Sequence, residues 1–441
     1  MSTESQSDSD APELAAPRDR GLWSNHDFTK FWVGETISLM GVQVTALALP
    51  LTAVLALNAG PEETGGLRFA QFVPFLFLSL LFGVWADRRR KRPLMIGANV
   101  VRCVLIGLVP LLAWMDVLNM WSLYALAIGI GVCTVLFDVS WMSYVPTLVD
   151  KEHLVSANGK VNSSFSVADL AGPGIAGLIV QIFTAPWALL IDSFSYLVSV
   201  ITLSSIRRPE PEPKPGAERH LGREIREGIV FVTSNPFLRV IATIGSAYNF
   251  CYMFIDALFV LYCIRTLGFD PFTLGLTLSL SSVGGLLGSL AAGTFIKRFP
   301  YGRVYMVAVV IGYCGPLLVP LVTGPTWLAA IVIGGGFVFT RFGLSVANVV
   351  ALSLRQAVTP QHLMARMTAG MRTLLSGLGT LGALAGGFVG ASIGLREAIW
   401  VGAIASAAAT LPLFFSIIPR LRKLPENPEE AMEFAAAQRT A

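Results

Sequence analysis

The chain has 441 residues, 54% hydrophobic and only 14% charged, whereas an ordinary soluble domain is about 25% charged. A mean hydropathy of +0.65 leaves too little polar surface for a water-soluble protein of this length. Soluble multidomain, disordered and disulfide-stapled classes are therefore excluded, and a net charge of +4 is too small to imply a nucleic-acid partner.

Residues 1–27 are rich in Ser, Asp, Glu, Ala and Pro with no apolar core, which reads as a disordered cytoplasmic tail and not a signal peptide. A bilayer core of about 30 Å calls for about 20 apolar residues per helix. Six windows meet that need, at roughly 28–57, 67–86, 93–114, 119–147, 161–183 and 186–206. Residues 207–236 open with the Pro-rich, charged RRPEPEPKPGAE and read as a cytoplasmic linker, with a short surface helix expected over His220–Thr233. Six further windows follow at 237–265, 272–297, 303–323, 326–354, 367–391 and 396–418, and residues 419–441 read as a second cytoplasmic tail. The runs are continuous and too long for strands, which excludes a β-barrel. The expected architecture is an all-α integral membrane protein with twelve transmembrane helices, arranged as two pseudo-symmetric six-helix bundles over 28–206 and 237–418.

Charge fixes the expected orientation. Even-numbered connections carry the Arg88–Arg92 run, Lys151, Arg207, Arg208, Lys297, Arg298 and Arg355, while odd-numbered ones hold only Arg68, Arg265 and Arg396. The positive-inside rule then places both termini and the linker in the cytoplasm of a cell with this protein in its plasma membrane. The five cysteines lie in apolar runs without a CxxC pair, and the four histidines lie in polar segments, so no metal site, disulfide framework or buried histidine relay is expected.

The halves repeat. Gly83-x-x-x-Asp87-Arg88 at the end of span 2 recurs 210 residues later as Gly293-x-x-x-Lys297-Arg298 at the end of span 8. Val149-x-x-x-His153-Leu154 recurs 209 residues later as Val358-x-x-x-His362-Leu363. Two six-helix halves in the same orientation form the parallel-repeat layout of a rocking transporter.

On these residues the sequence resembles the major facilitator superfamily over 28–418. Gly83-Val-Trp-Ala-Asp87-Arg88-Arg-Arg-Lys-Arg92 is similar to that family's loop 2–3 motif, with Arg90 where a glycine is usual. The run Ala171-Gly172-Pro173-Gly174-Ile175-Ala176-Gly177 resembles the Gly-Pro helix-bend motif of the antiporter branch. Phe31-Trp-x-Gly-x-x-Ile-Ser38-x-x-Gly41, Val358-x-Pro360, Leu363-x-x-Arg366 and Leu381-Gly-Ala-x-x-Gly-Gly387 are similar to the bacterial subfamily of macrolide-efflux and enterobactin (siderophore) exporters. The resemblance implies a latch in which Asp87 meets the start of span 11, with Gly83, Arg88, Arg366 and Arg372 assisting.

The intramembrane charges Glu35, Arg102, Asp138, Asp169, Asp192, Asp256 and Arg341 are costly unless paired or wet. A rise of about 1.5 Å per residue places Glu35, Arg102, Asp138 and Asp169 at similar depth in the first half. Arg102 and Asp138 are the natural ion pair on neighbouring spans. Glu35 and Asp169 have no evident cation, so these four are the proton-coupling candidates. The family's frequent arginine in span 4 is missing from Val139–Val145. Asp192 reads as interfacial. Arg341 near mid-span, Asp256 and Tyr252 are the substrate-cavity candidates, although Tyr248, Phe250, Tyr252 and Phe254 alternate and cannot all share one helical face. Trp114 and Trp121 flank an outer loop as interface aromatics would.

The expected function is a secondary transporter, a proton-coupled antiporter exporting small amphipathic molecules such as drugs, antibiotics or siderophores. It would need no cofactor beyond the proton gradient and no partners beyond substrate, protons and membrane lipid, and it would work as a monomer. A uniporter, importer or lysolipid flippase of the same layout is the alternative. A membrane enzyme or sensor is disfavoured, because no nucleophile–base pair, Walker A loop, metal cluster or appended soluble domain occurs.

Overall fold

The computed structural model describes residues 25–210 and 221–440, except the side chains of Leu80, Val84, Asp87, Leu221, Glu224, Arg439 and Thr440. The tail before residue 25 and linker residues 211–220 lie outside the described residues, as does the Asp87 carboxylate on which the expected latch depends.

The first half consists of α1 (His26–Leu51), continued by a π turn (Thr52–Ala56), then α2 (Pro61–Asp87), α3 (Lys91–Trp114), α4 (Met120–Leu148), α5 (Leu154–Phe183) and α6 (Ala185–Ser204). After the linker helix α7 (Leu221–Ser234) come α8 (Pro236–Arg265), α9 (Pro271–Arg298), α10 (Tyr301–Cys314) with its continuation α11 (Leu318–Leu321), α12 (Thr326–Ala357) and α13 (Met364–Ile393). The last span is α14 (Leu395–Ala408) with α15 (Leu411–Phe414), and α16 (Pro428–Thr440) ends the chain. Eleven of the described helices are long and apolar enough to cross a membrane, and the 27-residue α2 matches them in length and apolar character. The chain is a multi-pass membrane protein.

Local chemistry starts these helices where the spans begin. The side chains of Asn25, Asn119, Asn235 and Asp270 accept first-turn N–H groups of α1, α4, α8 and α9. Pro61, Pro236 and Pro271 take first positions, where no N–H is needed. Helix α5 starts at Leu154, before the apolar window at 161–183, and carries the polar Ser156, Asn158 and Lys160 in its first turns. The segment 419–441, read from sequence as a cytoplasmic tail, is partly folded: α16 buries Ala431 and Ala435 and stacks Phe434 on Phe237, 6.4 Å between centroids.

The repeat is written into the backbone. Among the described residues, the non-glycine residues with positive φ are Asn58, Asp116 and Thr184, at 53°, 54° and 66°, and the glycines are Gly268, Gly324 and Gly394, at 67°, 122° and 100°. They pair off between the halves, each glycine 208 to 210 residues after its partner. All six sit in turns at the end of the molecule away from Arg88–Arg92 and α7, called here the far end. The other is the basic end.

Packing differs at the two ends. At the far end one apolar core runs through both halves, joining Leu47, Ile106 and Leu189 to Phe254, Leu258 and Ile333. At the basic end there are two separate cores, one around Phe28, Met95 and Tyr144 and another around Phe237, Tyr305 and Val350. The halves touch through α2 against α13 and α8, and α5 against α9. Glycines bring the backbones together there: a Cβ on Gly65 would lie 2.7 Å from Gly387 Cα, and one on Gly177 would meet the Pro271 carbonyl. Nothing lies within 4 Å of such an atom at Gly83 or Gly293, so these basic-end glycines, whose small size would let helices cross closely, face open space instead. The molecule is sealed at the far end and parted at the basic end.

A cavity in the second half and a buried charge network

Helices α8, α10, α12 and α13 enclose a cavity of about 320 Å³ that reaches from mid-molecule toward the basic end. Tyr248, Tyr252, Tyr305, Tyr313, Arg341 and Arg355 line it, and Asp256, Phe259 and Phe337 line its continuation toward the far end. The expected cavity residues Arg341, Tyr252 and Asp256 are thus brought together. Tyr248 and Tyr252, one turn apart, face the cavity, and their rings lie 6.1 Å apart. Phe250 and Phe254 point the other way, and their backbone carbonyls meet Gly382 and Gly386. Tyr248 also stacks on Tyr313 at 4.2 Å, a pairing across helices that no local pattern announces.

Asp256 lines the cavity and also closes it. Its carboxylate lies 2.8 Å from Arg68 Nε on α2. Arg341 is exposed to the cavity and makes no hydrogen bond or ion pair among the described residues. Asp169 on α5 acts on Arg341 and Tyr252 only through space, while its backbone carbonyl accepts from Ser282 Oγ at 2.9 Å.

The first half holds a different cluster. Arg102 is buried, with its guanidinium 4.5 Å from the Phe137 ring centre and 4.4 Å from that of Tyr196. It donates to Asn99 Oδ1, and Asn99 in turn donates to Ser199 Oγ at 2.8 Å. Arg102 and Asp138 do not form the expected ion pair, because the rings hold the guanidinium on α3 facing α6 and the Asn99 amide supplies its acceptor. Asp138 is half-buried, under the charges of Arg102 and of Arg372 from the other half. Glu35 is 6% exposed, and its Oε2 is buried without a hydrogen-bond partner. Asp192 is fully buried rather than interfacial, accepting from the hydroxyls of Thr45 and Ser195. Sequence depth misplaced it because α6 is short and packs along its whole length against α1 and α3.

The remaining expected residues are placed as follows. Gly172 is pressed against the Gln43 side chain. The Pro173 carbonyl meets Gly275, and the Gly174 N–H donates to Ser279 Oγ at 2.8 Å, so the Gly-Pro stretch is the crossing point of α5 with α9. Arg88 is exposed at the end of α2. Arg372 is exposed on α13. Arg366 pairs at 2.7 Å with Glu227 of α7, a partner the sequence reading missed.

Two repeated six-helix halves that share a core at the far end and part at the basic end, with a cavity in the second half, have the layout of a membrane transporter. A sequence profile of the Major Facilitator Superfamily matches residues 31–380, and the chain belongs to that family. It is 25% identical to macrolide efflux protein A of Streptococcus pyogenes over 61% of its own length and 66%, just under two thirds, of that protein. It is 27% identical to the multidrug efflux pump Tap of Mycolicibacterium fortuitum over 87% of this chain and 93% of the pump. Among solved structures it is similar in fold to the nucleoside transporter NupG, with TM-score 0.70, 11% identity and coverage of 88% and 98%. It also matches a bacterial homologue of ferroportin in an inward-facing state, with TM-score 0.68, 16% identity and coverage of 95% and 100%.

Proposed function

We propose that this transporter is a proton-coupled exporter of small amphipathic organic molecules, working by rocking of residues 28–206 against 237–418. The basic end faces the cytoplasm of a cell whose plasma membrane holds the protein, with both termini on that side. The observation that carries this is the shared apolar core at the far end set against two separate cores at the basic end. A cavity open only to the cytoplasm is the loading state of an exporter, and the efflux proteins among its relatives support that direction. The motif around Asp87 is read as the latch that closes the basic end in the opposite state.

Glu35 carries the exchangeable proton in this scheme. Its carboxyl is buried without a hydrogen bond among the described residues, near the charge of Arg102, which does not touch it, and near the like charge of Asp138, so its charged form has little support. Asp138 leads from it toward the cleft and Arg372. Asp169 belongs with Arg341 on the cavity side. Energised inverted vesicles containing the protein should lose part of their interior acidity when candidate drugs or siderophores are added, and Glu35→Gln should abolish that loss. Substrate equilibration without any proton movement would reduce the protein to a uniporter and leave Glu35 structural.

A further inference from the structure

We infer that the cavity selects anionic aromatic molecules, a carboxylate or sulfonate on a flat ring, with Arg341 as the group that takes the anion. This names the substrate class of the site above, and it depends on the transport reading only for placing the cavity on the substrate's path.

The argument is an inventory of donors and acceptors. Arg341 presents a guanidinium with five N–H donors in a fixed fork, and none is engaged by protein among the described residues. Arg355, lower in the same cavity, uses its Nε on the Ala351 carbonyl at 3.3 Å, a backbone acceptor that leaves its charge without a carboxylate in contact. The phenol groups of Tyr248, Tyr305 and Tyr313 make no hydrogen bond to protein among the described residues and can donate as well. On the acceptor side, Asp256 is taken by Arg68 at 2.8 Å. Asp169 is the remaining carboxylate acting on Arg341, and it does so from the opposing half without contact. Asn249 and Asn348 also line the cavity, but each amide brings donors and an acceptor together, so the surplus is in donors and positive charge, and a ligand rich in acceptors matches it.

The apolar part is equally specific. Tyr248 and Tyr313 stack at 4.2 Å, and Tyr248 and Tyr252 stand 6.1 Å apart, so the wall next to Arg341 is a set of nearly parallel ring faces. Flat rings dock on such a wall by offset stacking. A volume of about 320 Å³ fits a drug-sized molecule. A cation entering here would face Arg341 and Arg355, and the lining carboxylate, Asp256, is already held by Arg68.

The two signs of substrate charge predict opposite outcomes for the same substitution. The test is calorimetric binding of 2-naphthylacetate and of 2-naphthylmethyl-trimethylammonium to the full-length protein in detergent, with thermal unfolding run on every variant. The anion should bind at least about tenfold more tightly than the cation. Arg341→Gln should erase that preference, Arg341→Lys should retain part of it, and Asp169→Asn should tighten anion binding by removing a like charge. Equal binding of both probes, weaker anion binding in Asp169→Asn, unchanged binding in a folded Arg341→Gln, or no saturable anion binding would each overturn the inference. Cation export by vesicles with no anion binding would sink this inference and leave the transport reading intact. Anion binding without any transport would do the reverse.

Discussion

Arg68 on α2 reaches across to Asp256 on α8, with Nε 2.8 Å from the carboxylate, and so ties one half of the transporter to the other at the sealed end of the cavity. Gln71 and the ring of Phe72 steady the guanidinium from below. The side chains are 17% and 21% exposed, so solvent screens the pair only in part. Opening the far end has to break it.

Asp256→Asn should therefore shift the balance toward far-end-open molecules by about fivefold, the equivalent of about 1 kcal/mol for a partly screened pair. Spin-label distances between the far ends of α2 and α13 would report the shift, and the swap Arg68→Asp/Asp256→Arg should restore the original distribution. An unchanged distribution in Asp256→Asn removes the gate.

Arg102 tests whether ring stacking and an amide can hold a buried guanidinium without a carboxylate in contact. In unfolding measurements, Arg102→Leu and Asp138→Leu should add to within about 0.5 kcal/mol, as for groups not in contact. Arg102→Leu and Asn99→Leu should instead couple by about 1 kcal/mol or more. Arg102→Lys keeps the charge and should still lose stability, because lysine cannot lie flat between Phe137 and Tyr196. Strong coupling to Asp138 would restore the ion pair that the geometry argues against.

Thr184 sits between α5 and α6 with φ 66° and ψ 160°, backbone that glycine enters freely and a β-branched residue does not. Its counterpart Gly394 holds nearly the same angles, φ 100° and ψ 157°. Thr184→Gly should raise stability by about 1 kcal/mol, and Gly394→Thr should lower it by at least as much. Thermal unfolding of the two variants reads both signs, and a destabilised Thr184→Gly would mean the threonine side chain earns its place through contacts.

Helix α7 is seated on α13 where backbones nearly touch: a Cβ on Gly228 would strike the Arg366 carbonyl. Gly228→Leu should lift the helix and speed tryptic cleavage at Arg223 and Arg226 by about tenfold, in line with local opening. Glu227→Gln, which loses only a half-exposed ion pair to Arg366, should change the rate far less. Equal cleavage in all three proteins would mean that α7 is not held by this contact.

Helix number and the repeat were legible because each rests on local segments. Twenty apolar residues, a Pro-rich break and a marker recurring after 210 residues are visible one segment at a time. Arg341 and Tyr252 could be picked for the cavity since a charge and an amphipathic ring at mid-span need water. Partner choice was not legible. Arg102 and Asp138 looked paired by depth, but depth says nothing about rotation around a helix axis, and Phe137, one residue away, is what faces the guanidinium. Asp192 escaped for a related reason, since its partners Thr45 and Ser195 are ordinary hydroxyl residues that carry no signal by themselves. The Glu227–Arg366 pair lies outside the bilayer, where charges are too common to single out.

The linker is anchored twice, once to each half. Glu210 accepts the N–H groups of Lys91 and Arg92 at the start of α3, while α7 is seated on α13. Ten residues, 211–220, separate these anchors, and fully stretched they reach about 35 Å. By its covalent length, the chain between the anchors therefore caps how far the basic ends can part. Lengthening it loosens the cap and shortening it tightens the stroke, which makes this stretch a natural place to tune turnover or insert a reporter without touching the cavity.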